Sequence, residues 1–293
     1  MTVTPIACSR PGIVFPVALA LIFLFVAASP ASTQGFSVAY GNLDFVVLPG
    51  DRIAATFSVT NLSEETKVLR VYSGDWVRVQ GDTPDYAFDE EGGNEVRSLL
   101  KWMTFSPDQM DLAPGEMRDV YCEVNFPDDP TLEGSYWGVV FVEEIPPPEP
   151  GVEAPRDEGM HVGISTIFRY AVKIFATFQY AEVLDASFTD LLIQQVEGGF
   201  DVTAVFENKG NIYMRPQTWL EIRDSTGEVI YRQDYVRQTV LPESSRNYAF
   251  ELRDLSLGPG TYLVMVISDY GAPKLVAAQG IMELKAEETP PAD

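Results

Sequence analysis

Apolar and polar residues alternate with period two along most of this chain after residue 35, the pattern of strands that bury one face. The segment Ile53-Ala54-Ala55-Thr56-Phe57-Ser58-Val59 largely alternates, and residues 120–126 do so cleanly. Residues 68–77 are less regular but rich in β-branched and aromatic side chains, which fit a pleated surface. Turn residues punctuate these runs at Pro49-Gly50-Asp51, Pro114-Gly115 and Gly258-Pro259-Gly260. Beyond residue 35 no segment keeps a long apolar face at the helical period. Short strands with a turn every 8–12 residues or so predict β-sandwiches.

The pattern also repeats. Phe57-Ser58-Val59-Thr60-Asn61 in the first half is echoed by Ala204-Val205-Phe206-Glu207-Asn208 in the second. Each is an alternating strand that stops at an asparagine, before a polar turn and a second apolar strand. Each half later sends a Pro-Gly turn into another strand, from Pro114-Gly115 and from Pro259-Gly260. The expected fold class is therefore all-β: two tandem immunoglobulin-like β-sandwich domains, at residues 36–181 and 182–285. The stretch 286–293 is acidic, contains proline and is expected to fray. Ile145-Pro146-Pro147-Pro148-Glu149-Pro150 cannot supply ladder donors, so 143–160 reads as an extended mobile loop. An apolar strand is expected to follow, from Val162 onward.

The first 31 residues have a different character. Arg10 supplies a positive start, residues 13–28 form an apolar run, and Ser29-Pro30-Ala31 offers small residues for cleavage. The run is shorter than a typical membrane span, so it reads as a signal peptide, leaving a processed chain with no membrane-spanning segment. Cys8 precedes the apolar run, where a lipid-accepting cysteine would follow it.

Charge narrows the possible partners. The formal net charge is −23 at pH 7, and removing the leader takes away one more positive group. Such a surface repels nucleic acid and anionic lipid and keeps an exported protein soluble. With 46% apolar residues the chain can still bury real cores. Only Cys122 lies beyond the leader, so packing and not disulfides must stabilise the fold. Alternation sets Cys122 on one face with Val120 and Val124, as a buried small hydrophobe.

The first half resembles the periplasmic pilus chaperones of the chaperone–usher pathway, the PapD-like proteins. The matching pieces occur in family order: Leu48-Pro49-Gly50-Asp51 before a strand ending at Asn61, then Asp75-Trp76, Trp102, Ser106-Pro107 and Leu112-Ala113-Pro114-Gly115. Ser135-Tyr136-Trp137-Gly138-Val139-Val140-Phe141-Val142 looks like the strand entering the family's long loop, and Tyr170-Ala171-Val172-Lys173-Ile174-Phe175 like its last strand. The resemblance covers about half the chain. It implies that Lys173 anchors a client's terminal carboxylate, and that Ile164, Thr166 and Phe168, extended by Val162, are donor residues completing the client's sandwich by strand addition. Without the resemblance, Lys173 reads as a surface lysine on an edge strand. The first strand, Phe36-Ser37-Val38-Ala39-Tyr40-Gly41-Asn42-Leu43, carries no arginine, so half of the family's clamp is missing. Ser135 and Phe141 stand where the family has an acidic residue and an asparagine. The second half looks instead like generic bacterial surface sandwich domains, which makes this a non-usher relative.

Catalytic chemistry finds little support. His161 is the only histidine, at a strand entrance with no nucleophile elbow nearby. Cys122 and His161 cannot make a zinc site, no phosphate-cradling glycine motif occurs, and no cofactor is expected. Asp82, Asp85, Asp89, Glu90 and Glu91 share one polar loop and Asp128-Asp129 another, without the ordered spacing of a calcium loop. Two functional readings follow. The first is an exported, non-catalytic, chaperone-like or assembly protein that pairs strands with envelope or surface protein subunits. The alternative is an adhesion or scaffold module binding cell-wall glycan or an envelope protein.

Overall fold

The computed structural model describes residues 35–78, 86–89, 96–146, 167–180, 182–253, 255 and 257–284. Residues 1–34, the stretch 147–166 and the stretch 285–293 lie outside the described residues, and with them Val162, Ile164, Thr166 and His161. Among the described residues, no helix is long and apolar enough to cross a membrane.

Ten strands build the first half: β1 Phe36–Val38, β2 Asn42–Val47, β3 Arg52–Asn61, β4 Lys67–Arg78, β5 Tyr86–Asp89, β6 Met103–Ser106, β7 Gln109–Leu112, β8 Met117–Asn125, β9 Gly134–Glu144 and β10 Arg169–Phe178. One sheet has the order β1-β3-β8-β6, and the facing sheet runs β2-β10-β9-β4-β5 with β7 also paired to β4. The segment expected as one first strand divides at Tyr40-Gly41. β1 lies antiparallel to β3, while β2 crosses to the other sheet and lies parallel to β10. Phe57, Val120, Cys122, Val140, Val172 and Ile174 fill the core between the sheets. Cys122 is 3% exposed, and burial pushes its thiol up to about 11, so it stays a protonated hydrophobe.

The second half contributes β11 Ala186–Val196, β12 Gly199–Asn208, β13 Gln217–Arg223, β14 Val229–Asp234, β15 Ser244–Arg253, β16 Gly260–Asp269 and β17 Val276–Leu284. These form sheets β11-β12-β15 and β14-β13-β16-β17 around Phe206, Leu220, Tyr248, Phe250 and Val266. Regular alternation in β12 and β15 buries every second residue, as one-faced strands require.

β9 behaves differently. Its near-continuous apolar run is buried on both faces. Tyr136, Val140 and Val142 point into the first core, while Trp137, Val139 and Phe141 join Trp76, Phe175 and Leu241 in a separate cluster on the outer face. The strand also runs further than the sequence suggested. Glu143 and Glu144 remain in the ladder, opposite Arg169 and Leu69, where the sequence reading expected a loop. Pairing overrides the charge of these two residues because Arg70 and Lys67 neutralise them.

The two echoed asparagines share one role. Asn61 is fully buried; its Nδ2 donates to the carbonyls of Glu65 (2.7 Å) and Leu112 (2.9 Å), and its Oδ1 accepts from the Ser63 N–H (2.9 Å). In Asn208, Nδ2 donates to the carbonyls of Ile212 (2.9 Å), Leu241 (3.0 Å) and Val240 (3.2 Å), and Oδ1 accepts from the Gly210 N–H (3.0 Å). Each ties the turn after its strand to a segment distant in sequence. Asn208→Ala would leave buried carbonyls without a donor and is expected to cost about 1–3 kcal/mol in urea unfolding. Asn208→Asp should cost more, because a carboxylate would face those carbonyls without a proton to offer them.

Candidate functional site

In an antiparallel ladder, successive residues aim their main-chain groups at opposite neighbours. The Glu144 N–H donates to the Phe168 carbonyl (3.0 Å), so even-numbered residues of this strand address β9, and odd-numbered residues address the other side. On that other side β2 begins at Asn42, opposite Lys173, whose N–H donates to the Gly41 carbonyl (3.0 Å). The N–H and C=O groups of Ala171 therefore project from an edge that no strand among the described residues pairs. From Lys173 onward β10 is an interior strand, which corrects the edge-strand reading of that lysine. Its parallel partner β2 could not be seen in the sequence.

The side chains on the outer face of this sheet build a shelf. Trp76, from β4, meets Phe175 edge-to-face at 5.9 Å, and Phe175 lies 4.4 Å from the Tyr213 ring. Cations lie across the rings: Lys173 Nζ is 4.4 Å from the centre of Trp76, and the Arg215 guanidinium is 5.0 Å from both Phe175 and Tyr213. Arg215 donates through both terminal nitrogens to Asp44 of β2, at 2.8 and 2.9 Å, and the Tyr213 hydroxyl donates to the same carboxylate at 2.8 Å. Burial pushes the Lys173 amine down, and the positive charges of Arg215 and Arg246 push it further in the same direction. Burial works to raise the Asp44 carboxyl, but the Arg215 and Tyr213 hydrogen bonds outweigh it and hold the group below its usual range. Burial and the Asp44 charge lift the Tyr213 phenol to about 12, so it remains a donor.

At the other end of the same face, Glu143 accepts from Arg70 (2.5 Å) and from the Tyr72 hydroxyl (2.7 Å), and Arg169 lies 3.4 Å away. The Arg169 guanidinium also covers the Phe141 ring at 5.2 Å. These contacts fix the outer face of this end of the sheet.

Of the residues singled out from sequence, Phe168 and Lys173 can be placed. Phe168 precedes β10 and is 38% exposed. It stands five residues from Lys173, about 16 Å along an extended chain, and parity groups it with Tyr170 and not with the lysine. The structure does not bring these two together; it brings Lys173 over the Trp76 ring and within electrostatic reach of Arg215 and Arg246 instead. No linear signal marks that group, because Tyr213 and Arg215 lie in the second half of the chain. Among the described residues, no group of three or more His, Cys, Asp or Glu side chains could hold a metal ion. In the Asp128-Asp129 turn, Asp129 accepts from the N–H and hydroxyl of Thr131, a local turn contact.

The two sandwiches are joined at the foot of this shelf. The Ser135 N–H donates to the Asn211 carbonyl (2.8 Å), the Tyr213 N–H donates to Ser135 Oγ (3.0 Å), and Ser135 and Thr177 hydroxyls lie 2.8 Å apart. Gly134 permits the approach: its φ is +68°, and a Cβ there would stand 2.2 Å from the Asn211 carbonyl oxygen. Gly134→Ala must move the seam as well as adopt a left-handed backbone. Its expected cost is at least about 1 kcal/mol, with a changed scattering profile in solution; an unchanged profile and melting curve would contradict this account of the seam.

No protein-family model matches the sequence, and no curated protein matches it. Several solved structures are similar in chain course. The class 5 fimbrial chaperone CfaA is 12% identical, with 86% of this chain and 100% of that one covered and a TM-score of 0.42. The chaperone–tip adhesion subunit complex CsuC–CsuE of Acinetobacter baumannii gives 12% identity, 84% and 97% coverage and a TM-score of 0.41. The E. coli chaperone DraB gives 14%, 86% and 98%, and 0.38. These are likenesses of chain course at 12–14% identity.

Proposed function

We propose that this chain is an exported, non-catalytic assembly protein of the chaperone-like kind, which holds envelope or surface protein subunits by β-strand pairing along β10. The observation that carries this reading is the edge at Ala171, whose main-chain donor and acceptor face away from β9 just before the point where β2 begins. An extended segment of a partner can add there as a further strand, with main-chain hydrogen bonds supplying affinity and side chains supplying choice. Phe168, exposed just before the strand, offers an apolar contact, and Lys173 stands at the inner end of the edge to meet a carboxylate. Val162, Ile164 and Thr166 extend the same apolar series in sequence. The leader places this activity in the periplasm or at the cell surface.

Proline tests the edge selectively. Ala171→Pro removes an N–H that points away from β9, a position where a strand tolerates proline. The variant should melt within about 1 kcal/mol of the parent, yet lose capture of subunits from its own envelope extract. Capture that survives Ala171→Pro in a folded protein would sink the strand-pairing reading. Val172→Pro, by contrast, breaks the ladder to β9 and should cost about 3 kcal/mol or more. N-terminal sequencing of exported material should find the chain starting after about residue 31; a start at Met1 would contradict the leader.

A further inference from the structure

β14 ends one sheet of the second sandwich, with β13 on one side and no strand among the described residues on the other. The Tyr235 N–H donates to the Thr218 carbonyl (2.8 Å), so Tyr231, Gln233 and Tyr235 aim their main-chain groups at β13. Arg232 and Asp234 aim theirs outward. Such an edge invites a further strand unless charge or shape repels it. Here the charges are mixed: Arg232 and Asp234 carry opposite signs on the same face, with side chains 45% and 63% exposed. Arg232 is held ready, its guanidinium 4.6 Å from the centre of the Trp219 ring, 3.8 Å from Glu221 and 2.9 Å from Asp234. The Arg232–Asp234 pair is exposed, so exchanging its aspartate for that of another copy costs little. Ile230 and Val236, 39% and 76% exposed, flank the two charges with apolar surface.

We propose that β14 pairs antiparallel with β14 of a second copy of this chain, so that two four-stranded sheets continue across a two-fold axis. The parity of the edge restricts the register. Outward main-chain groups belong to the even-numbered residues, so a ladder must set even residues opposite even residues. An axis at Gln233 sets Arg232 opposite Asp234 of the second copy, and Asp234 opposite its Arg232. Each of these pairs exchanges two main-chain hydrogen bonds and matches opposite charges across the strands. Moving the axis to Arg232 or to Asp234 would face arginine with arginine or aspartate with aspartate, which is unfavourable. At the end of the favoured register, Ile230 falls near Val236 of the second copy, and both leave water. The edge thus complements itself in one register and repels itself in the two adjacent ones, which marks another copy of the chain as its partner.

Charge reversal tests the register directly. The full processed chain should form a dimer in sedimentation equilibrium at up to about 1 mM, the range expected of a small interface. Arg232→Glu and Asp234→Lys should each weaken the dimer at least about tenfold, because each sets like charges opposite one another twice. Net charge alone forecasts otherwise: the first makes an acidic chain more acidic and the second less, so their effects would have opposite signs. An equimolar mixture of the two variants should recover the dimer, since the new acid of one faces the new base of the other and a native pair remains. In dilute solution both variants should melt as the parent does. Should either fail to fold, Val236→Lys, at an exposed position outside the strand, provides a further variant that should lose association. A parent that stays monomeric throughout, a dimer that survives these substitutions, or a mixture no tighter than either variant alone would overturn the proposal. None of these results depends on whether Ala171→Pro abolishes capture.

Discussion

The outer face of β9 and β10 cannot be left in water, and much of the structure follows from that. Trp76, Trp137, Val139, Phe141 and Phe175 are all at most 5% exposed, although they lie on the side of the sheet opposite the first core. At about 1.5–3 kcal/mol for each large side chain, their burial is worth on the order of 10 kcal/mol before ordering entropy is set against it. Leu241 and Tyr213 from the second half help to close this cluster. An exposed ion pair such as Asp44–Arg215 contributes about 0–1 kcal/mol to stability. Apolar burial therefore sets how the sandwiches meet.

The buried asparagines show how the seam inherits its precision. Asn208 holds the carbonyls of Val240 and Leu241, and Leu241 is the residue that reaches into the outer cluster. Three residues along, Asn211 presents its carbonyl to Ser135. One amide side chain thus stiffens the turn that positions both an apolar and a polar contact of the interface. Asn61 performs the equivalent task in the first sandwich, where it secures the Glu65 and Leu112 carbonyls inside a single domain. A buried amide that satisfies its partners specifies one arrangement, since any other leaves polar groups unpaired.

Electrostatics then gives the shelf its character. In a chain of net charge −23, Lys173, Arg215 and Arg246 gather where two sheets meet, and aromatic faces support the first two. Rings stabilise cations without consuming a carboxylate, which allows positive charge to be kept partly desolvated beside an open strand edge. At the far end Arg70 and Arg169 are engaged by Glu143, so the two ends of the same sheet face differ in the anions they already hold.

The sequence by itself determined the strands, the sandwich class, the two asparagine-ended strands and the inward face of Cys122, because period-two alternation and turn residues act locally. In β9 a run apolar at nearly every position is buried on both faces. Tertiary structure alone decided what covers that second face. It split the first strand between two sheets and laid β2 parallel to β10, a pairing with no local signal, which made Lys173 interior. It kept Glu143 and Glu144 in the ladder where charge and nearby prolines suggested a loop, because Arg70 and Lys67 lay opposite. Asp44, Tyr213 and Arg215 are ordinary surface residues when read along the chain. They become neighbours only because 171 positions of sequence separation collapse to 2.8 Å when two apolar faces are buried against each other.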